Sequence, residues 1–202
     1  MPIAAVIAAA GRSTRMGEPK QLLPWRDATP TGSVLGTVLI NLAAAGVQPV
    51  ICVVGHARDE IGAVAGAAGA EVVYNPDYAT VEMLASYQTG VRHLLAHHAQ
   101  TTGALFAVGD QPHIPVRVTR QVIHHALCRP RAIVVPSYAM RRGHPMYIPR
   151  DVWDFLLQLG PEESMRAVMR HFADRVEYVT VGVEAILLDM DTPEDYAALR
   201  AG

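Results

Sequence analysis

Runs of β-branched and other apolar residues alternate in this chain with segments that are long enough to form helices. The strand-like runs lie at Ile3–Ile7, Val50–Val54, Glu71–Tyr74, Leu105–Val108, Ala132–Val135 and Ala185–Leu188. The helix-like segments lie at Val34–Ala45, Arg58–Ala65, Glu82–His97 and Val116–Leu127. Such alternation is typical of a parallel sheet with helices on both faces. It predicts a three-layer, doubly wound, Rossmann-like α/β fold, in which ligands bind beyond the carboxyl ends of the strands.

One segment, Tyr138–Pro149, interrupts this alternation. Residues 141–143 form a predicted turn between extended pieces at 137–140 and 145–148, so we expect a small β-hairpin flap. The sequence contains neither an internal repeat nor a linker rich in Pro, Gly or Ser. A chain of 202 residues can bury one core of ample size. We therefore predict a single domain over residues 1–202.

Composition and charge exclude several classes of protein. Half of the residues are hydrophobic and 18% are charged, as in compact globular enzymes. The formal net charge of -2 gives no basic excess for binding a nucleic acid. The two cysteines, Cys52 and Cys128, form no CxxC pair, which fits a reducing cytoplasm. The apolar start of the chain is too short for a membrane span and lacks the basic flank of an export signal, so no membrane partner is expected.

The first predicted strand runs into a small-residue loop, Ala8–Lys20, that carries three cationic side chains. Backbone amides beside Gly11 and the charges of Arg12, Arg15 and Lys20 are suited to bind a polyphosphate. The loop lacks the Gly-Lys-Ser/Thr end of a Walker A motif and the third glycine of the dinucleotide fingerprint. A solvated basic turn is the alternative interpretation of this segment taken alone.

Carboxylates follow two further apolar runs. Asp110 comes directly after the run that ends at Val108, and it is a candidate Mg²⁺ ligand or a simple turn residue before Pro112. Asp189 and Asp191 are two residues apart, so both side chains share one face of an extended segment. We predict a magnesium site made of Asp110 with Asp191 or Asp189.

The loop, written A-A-G-x-S-x-R-M-G-x-x-K, resembles the signature of the MobA-like nucleotidyltransferases, and most closely the branch with molybdenum cofactor cytidylyltransferase. The segments VGDQP, RRGHP and DMDTPED follow in the order that this family requires. The resemblance spans nearly the whole chain. It implies a Mg²⁺-dependent transfer of CMP from CTP to molybdopterin, with release of pyrophosphate and a molybdoenzyme as an eventual partner.

The resemblance also implies residue roles. Lys20, Arg15 and Asp110 would be catalytic, and the small pair Ala9 and Ala10 before Gly11 is similar to the cytidine-using branch. The acceptor would contact a second set of residues, namely Glu82, Gly143, His144 and Pro145. The nucleotide-binding residues would be Ala8, Ala9, Ala10, Gly11, Arg12, Ser13, Lys20, Gly55, Ser86 and Asp110.

Two other functions stay open at this point. Glu82 stands where the branch usually carries a glycine. A glutamate there is compatible with a different acceptor, such as a sugar phosphate or another small phosphate. It is also compatible with a non-catalytic protein that binds nucleotide and hands a cofactor to a molybdoenzyme.

The histidines of the predicted helix at 82–97 and Met83 are given no functional role by the sequence. His93, His97 and His98 lie in or beside one predicted helix, and His93 and His97 have the i, i+4 spacing of a metal pair. No glutamate or third ligand lies nearby in the sequence, so a solvated helix face is the favoured interpretation. Trp25, Met83 and Trp153 are expected to be packing residues.

Overall fold

The computed structural model describes residues 2–27, 29–79 and 83–201. Eight strands within these ranges join one mixed sheet. They are β1 Ile3–Ala9, β2 Val50–Val54, β3 Glu71–Tyr74, β4 Gly103–Val108, β5 Ile133–Tyr138, β6 Arg141–Arg142, β7 Met146–Pro149 and β8 Val176–Thr180.

The strand order is β3-β2-β1-β4-β7-β5-β6, and β8 pairs in parallel with β5. β1 is parallel to both of its neighbours, β2 and β4, whereas β7 runs antiparallel between β4 and β5. The chain leaves β1 toward β2 and β3 on one side and returns to β4 on the other. This reversal opens a crevice beyond the carboxyl ends of β1 and β4, which is where doubly wound sheets bind ligands.

The described residues contain seven helices, and six of them cover the two faces of the sheet. They are α1 Val34–Ala44, α2 Arg58–Ala67, α3 Met83–His97, α4 Val116–Cys128, α5 Trp153–Gln158, α6 Met165–His171 and α7 Pro193–Ala201. α1, α2 and α4 pack on one face through a buried cluster that includes Ile7, Leu35 and Ile61. α3, α5 and α6 pack on the opposite face around Tyr87, Phe106 and Trp153. The predicted three-layer, mostly parallel α/β architecture is confirmed.

Two predictions about local structure are wrong. Ala185–Leu188 is not a strand: residues Glu184–Leu187 form a 3₁₀ helix, in which Ile186 is the buried residue. The position beside β5 is taken by β8, whose sequence VEYVT is rich in β-branched and aromatic residues but is only partly buried. A short apolar run does not by itself distinguish a strand from a helical turn.

The predicted hairpin is present but its turn is shifted. Ala139 and Met140, both with positive φ, make the turn, and Arg141 and Arg142 form β6 against the end of β5. The following segment, β7, is a buried strand of the main sheet and not part of a flap. In the described part of the chain, no helix combines the length and the hydropathy that a membrane crossing requires.

Candidate active site

A cavity of about 360 Å³ opens at the crevice between the ends of β1 and β4. Its walls come from the β1 loop, from the loop after β4, from the start of α3 and from the segment before α7. The lining residues are Ala8, Ala10, Gly11, Ser13, Thr14, Arg15, Lys20, Gln21, Tyr78, Met83, Ser86, Val108, Gly109, Asp110 and Asp191.

Ser13 holds the β1 loop in its folded conformation. Its backbone is left-handed, with φ of 51°, and its carbonyl accepts a hydrogen bond from the Met16 amide at 2.9 Å. Its hydroxyl accepts from the Lys20 amide at 3.2 Å and lies 3.3 Å from the Gln21 side-chain oxygen. Gln21 is 3% exposed and reaches back to the Ala9 carbonyl at 3.5 Å. The two ends of the loop are therefore tied together by side chains.

The Lys20 ammonium group lies between two carboxylates at the bottom of the cavity. Its Nζ is 2.5 Å from Asp110 Oδ2 and 3.0 Å from Asp191 Oδ1, and it donates to the Met190 carbonyl at 3.1 Å. Burial alone would lower the Lys20 pKa, but the two carboxylates outweigh burial and raise that pKa above its ordinary value. Lys20 is thus a permanent cation in this site.

Arg15 approaches the same cluster from the solvent side. Its guanidinium is 2.8 Å from Asp191 Oδ2, although its side chain remains 70% exposed. Hydrogen bonding from Lys20, supported by the charge of Arg15, lowers the pKa of Asp191 below its ordinary value. An exposed guanidinium on a loop can exchange this partner for a phosphate at little cost.

Helix α7 fixes the position of Asp191 through its capping interactions. The Asp195 carboxylate accepts from the amides of Asp191 at 3.1 Å and Thr192 at 2.9 Å, while the Thr192 hydroxyl accepts from the Asp195 amide at 3.2 Å. This is a reciprocal cap of the helix start, as the sequence T-P-E-D predicts. The cap and the candidate ligand are therefore parts of one rigid turn.

The carboxylates of the cluster suit a hard divalent cation. Asp110 and Asp191 line the cavity, whereas Asp189 is exposed and does not line it. Desolvation, followed by the charges of Asp191 and Asp110, raises the pKa of Asp189. A triphosphate brought here would add further negative charge. Carboxylate oxygens together with phosphate oxygens are the ligands that Mg²⁺ prefers, so the donor set fits that ion.

The other predicted nucleotide-binding residues divide into two groups. Ala8, Ala10, Gly11 and Ser86 line the cavity with Ser13, Lys20 and Asp110. Three residues do not line it: Ala9, Arg12 and Gly55. Ala9 is 1% exposed and packs in the core, and Arg12 lies 5.8 Å from the centre of the Tyr78 ring. A Cβ on Gly55 would lie 2.4 Å from the Tyr78 Cβ, so Gly55 makes room for that tyrosine.

Besides Met83, five residues that line the cavity were not among the predicted site residues: Thr14, Gln21, Tyr78, Val108 and Gly109. Gln21 is a polar residue at the end of the β1 loop, and the structure buries it. Met83 was expected to be a packing residue, but it is 47% exposed and faces the cavity. Trp153, in contrast, is fully buried as expected.

The predicted acceptor-binding residues lie beside the main cavity. A Cβ on Gly143 would lie 2.4 Å from the Ile186 carbonyl oxygen, so Gly143 allows the hairpin to pack on the 3₁₀ helix. His144 and Pro145 line a separate small cavity of about 20 Å³ together with Gln111. Burial lowers the His144 pKa, so this imidazole is neutral near pH 7. Glu82, the fourth predicted residue, is outside the described residues.

The crevice, the tied loop and the lysine–carboxylate cluster together form the candidate active site, and their chemistry suits a protein that binds a nucleotide. The MobA-like NTP transferase domain matches residues 5–177, and the chain belongs to this family. It is a nucleotidyltransferase of that type.

Two relatives cover nearly the whole chain. The molybdenum cofactor cytidylyltransferase of Escherichia coli (strain K12) is 27% identical over 199 residues, covering 96% of this chain and 94% of the relative. The solved structure of Rv0371c from Mycobacterium tuberculosis H37Rv is 32% identical with a TM-score of 0.84, and each chain is covered completely. A second structure of Rv0371c is a complex with manganese, at 31% identity and a TM-score of 0.73, again with complete coverage of both chains.

A third relative matches only part of the chain. The CMP-5'-(3-aminopropyl)phosphonate synthase of Streptomyces rubellomurinus is 40% identical over 92 residues. These residues are 43% of this chain and 14% of that protein.

Proposed function

We propose that this chain transfers CMP from CTP to molybdopterin in a Mg²⁺-dependent reaction and releases pyrophosphate. The observation that carries the chemical part is the convergence of Lys20, Asp110 and Asp191 at the bottom of the cavity. The preference for CTP and for molybdopterin is supported by the cytidylyltransferase from Escherichia coli, which is similar over 96% of the chain.

The chain's own residues would act mainly by positioning and by neutralising charge. Nucleotidyl transfer is an in-line displacement at the α-phosphorus and needs little covalent help from the enzyme. The amides of the loop around Gly11 and Ser13 would bind the β- and γ-phosphates. Arg15 and Arg12 would hold the departing pyrophosphate, since a planar guanidinium binds two oxygens at once.

Lys20 would stabilise the charge that develops on the α-phosphate. The Lys20 side chain is 13% exposed, so the charge of its ammonium group acts more strongly than it would in water. Lys20 pairs with Asp110 and Asp191. We expect Lys20 to keep one of these contacts while its ammonium group turns toward the phosphate. The remaining contact would orient the ammonium group.

Asp110, with Asp191 and Asp189, would hold Mg²⁺. When bound, the ion supplies Lewis-acid polarisation of the α-phosphate and neutralises phosphate charge. The three carboxylates alone would repel a triphosphate, so these residues make nucleotide affinity depend on the cation. An acceptor phosphate is already ionised near neutral pH, and this chemistry needs no general base from the chain.

The base and ribose would contact the backbone near Ala8 and Ala10, beside Ser86 and Tyr78. Ser86 is held by a 3.3 Å hydrogen bond from the buried side chain of Asn75, so its hydroxyl has a fixed position. The acceptor would approach from the side of His144, with Gly143 and Pro145 nearby. The dinucleotide product would then pass to a molybdoenzyme.

A second candidate function is transfer to a different small phosphate or phosphonate. It is favoured by the partial match to CMP-5'-(3-aminopropyl)phosphonate synthase, a relative whose name specifies another acceptor class. In this case the nucleotide half of the site would be the same, and only the acceptor side would differ.

Pyrophosphate release tests these proposals directly. The purified chain is incubated with CTP or GTP, Mg²⁺ and either molybdopterin or a panel of sugar phosphates and phosphonates. We expect release with CTP and molybdopterin. Release with another acceptor alone would replace molybdopterin by that acceptor. Nucleotide binding without release for any acceptor would overturn the enzymatic proposal and support a non-catalytic binding protein.

A further inference from the structure

A histidine–glutamate cluster lies at the opposite end of the sheet from the nucleotide cavity. Glu71 is the first residue of β3, and its register partner on β2 is Ile51, near the beginning of that strand. His93 lies in the last part of α3, and His98 follows directly after this helix. The nucleotide cavity, in contrast, touches α3 at its first residues, Met83 and Ser86. Ten residues of helix separate Met83 from His93, a distance of about 15 Å.

The two imidazoles converge on the same carboxylate. His93 Nε2 lies 2.8 Å from Glu71 Oε2, and His98 Nε2 lies 2.9 Å from Oε1 and 3.0 Å from Oε2. The three candidate ligand atoms all lie within 4.8 Å of one another. A tetrahedral ion with bonds of about 2.1 Å separates its ligand atoms by about 3.4 Å. The imidazole–carboxylate distances would have to lengthen by about half an ångström, and the widest separation in the cluster would have to shorten by at most about 1.4 Å.

We propose that Glu71, His93 and His98 form a binding site for a divalent transition-metal ion, with Zn²⁺ as the expected occupant. Two imidazoles and one carboxylate are ligands that Zn²⁺ and its neighbours in the first transition series prefer, while Mg²⁺ and Ca²⁺ prefer sites made of oxygen alone. The site is therefore chemically distinct from the carboxylate cluster around Asp110. Three protein ligands leave the fourth position for solvent.

The surroundings of the cluster meet the further requirements of a metal site. Hydrogen bonds from His93 and His98 lower the pKa of Glu71, so the carboxylate is ionised as a ligand must be. The side chains of His93 and His98 are 21% and 27% exposed, which is partly buried but open to solvent. A surface cleft of about 520 Å³ borders Glu71 and His98 and gives an ion a path to them.

The ion would fasten α3 to the edge strand β3. His97 is the neighbouring imidazole, with its ring centre 4.5 Å from that of His93, yet it is not among the three converging ligands. It is therefore a matched control on the same helix. Because α3 reaches the nucleotide cavity at its other end, through Met83 and Ser86, the bound ion would also help to hold that end of the helix in place.

The experiment measures Zn²⁺ binding to untagged, metal-free protein in excess Mg²⁺, by calorimetry, with Co²⁺ absorption as a spectroscopic probe. We expect one Zn²⁺ per chain in the wild type and in His97→Gln. We expect binding at least about 100-fold weaker in Glu71→Gln, His93→Gln and His98→Gln, since supporting groups alone account for 10- to 100-fold. Circular dichroism identifies any variant that does not fold, and the folded ones decide the test.

Asp110→Asn separates this proposal from the proposed function. Zn²⁺ binding should persist in that variant, because Asp110 belongs to the other site. Absence of saturable binding in the folded wild type, equal affinity in all the folded ligand variants, or loss of the Zn²⁺ in Asp110→Asn would each overturn the proposal. The first two results would leave the cluster as a pair of imidazole–carboxylate ion pairs.

Discussion

Lys20 is the residue at which the separate parts of the site meet. It is the only lysine among the 202 residues of the sequence, and its ammonium contacts the loop after β4 and the turn before α7 at once. The other 16 of the 17 lysine and arginine residues are arginines. The planar, forked guanidinium of an arginine suits the ends of a polyphosphate. A compact ammonium suits the crowded α-phosphate position. Amine-directed labelling therefore reports on this side chain alone, apart from the chain terminus.

Lys20→Ala should lower kcat by at least about 10²-fold and weaken CTP binding much less, since the proposed contact strengthens in the transition state. Steady-state kinetics and direct CTP titration give the two values. An equal loss in kcat/KM and in affinity, with kcat unchanged, would mean that Lys20 only binds the nucleotide.

Asp110→Asn should abolish measurable turnover, with a fall of at least about 10²-fold in kcat, because the amide cannot replace the ionised ligand. The assay is pyrophosphate release at saturating Mg²⁺ and CTP. Asp59→Asn is the matched control, since the Asp59 side chain is 89% exposed on α2. Activity that survives in Asp110→Asn would contradict the assignment of Asp110 as a metal ligand.

At the scale of elements, α3 depends on a close approach to the sheet. A Cβ at Gly90 would lie 2.2 Å from Cγ1 of Val6 on β1, so α3 packs directly on the strand through this glycine. This contact also positions Ser86 at the cavity. The sequence predicts that a helix is present here, but it does not indicate how close the helix comes.

Gly90→Ala should lower the free energy of unfolding by about 1–3 kcal/mol, because the added methyl overpacks a core without space for it. Gly66→Ala in α2 is the control, since a Cβ there meets nothing within 4 Å. The control should raise stability by up to about 1 kcal/mol through helix propensity. Thermal and urea unfolding measure both, and equal effects at the two positions would contradict the packing argument.

At the scale of the whole molecule, the sheet separates regions with different exposure and different chemistry. The nucleotide cavity lies at the carboxyl ends of β1 and β4, and the histidine–glutamate cluster lies at the start of β3. Between them the central strands are buried on both faces. Cys52 lies on one of the buried strands, β2, whereas Cys128 is exposed at the end of α4.

This difference predicts the reactivity of the two thiols. Burial raises the pKa of Cys52 to about 12, so the native protein should react with a thiol reagent at Cys128 alone. Counting labelled thiols should give one in the native state and two in denaturant, and Cys128→Ser should remove the native signal. Rapid native labelling of Cys52 would show that the sheet opens far more readily than its packing indicates.

The sequence by itself determined the layer architecture, the phosphate loop and the order of its carboxylate partners. These features are local: periodicity defines α1 and α4, and the T-P-E-D segment contains its own helix cap. Residues 184–187 form a 3₁₀ helix and not the predicted strand, because a short apolar run is compatible with both structures. Strand β8 was missed because its partly buried sequence contains no continuous apolar run.

Only the tertiary structure decided which distant side chains meet. It brought Lys20 between Asp110 and Asp191, buried Gln21 and placed Tyr78 over Gly55. The histidines of α3 show the same limit of the sequence: their missing third ligand, Glu71, lies on another element and is recruited by the packing of α3 against the sheet. Contacts of this kind join residues that are far apart in the sequence, and they depend on how the strands and helices pack together. No local sequence pattern encodes that packing, so only the fold reveals these contacts.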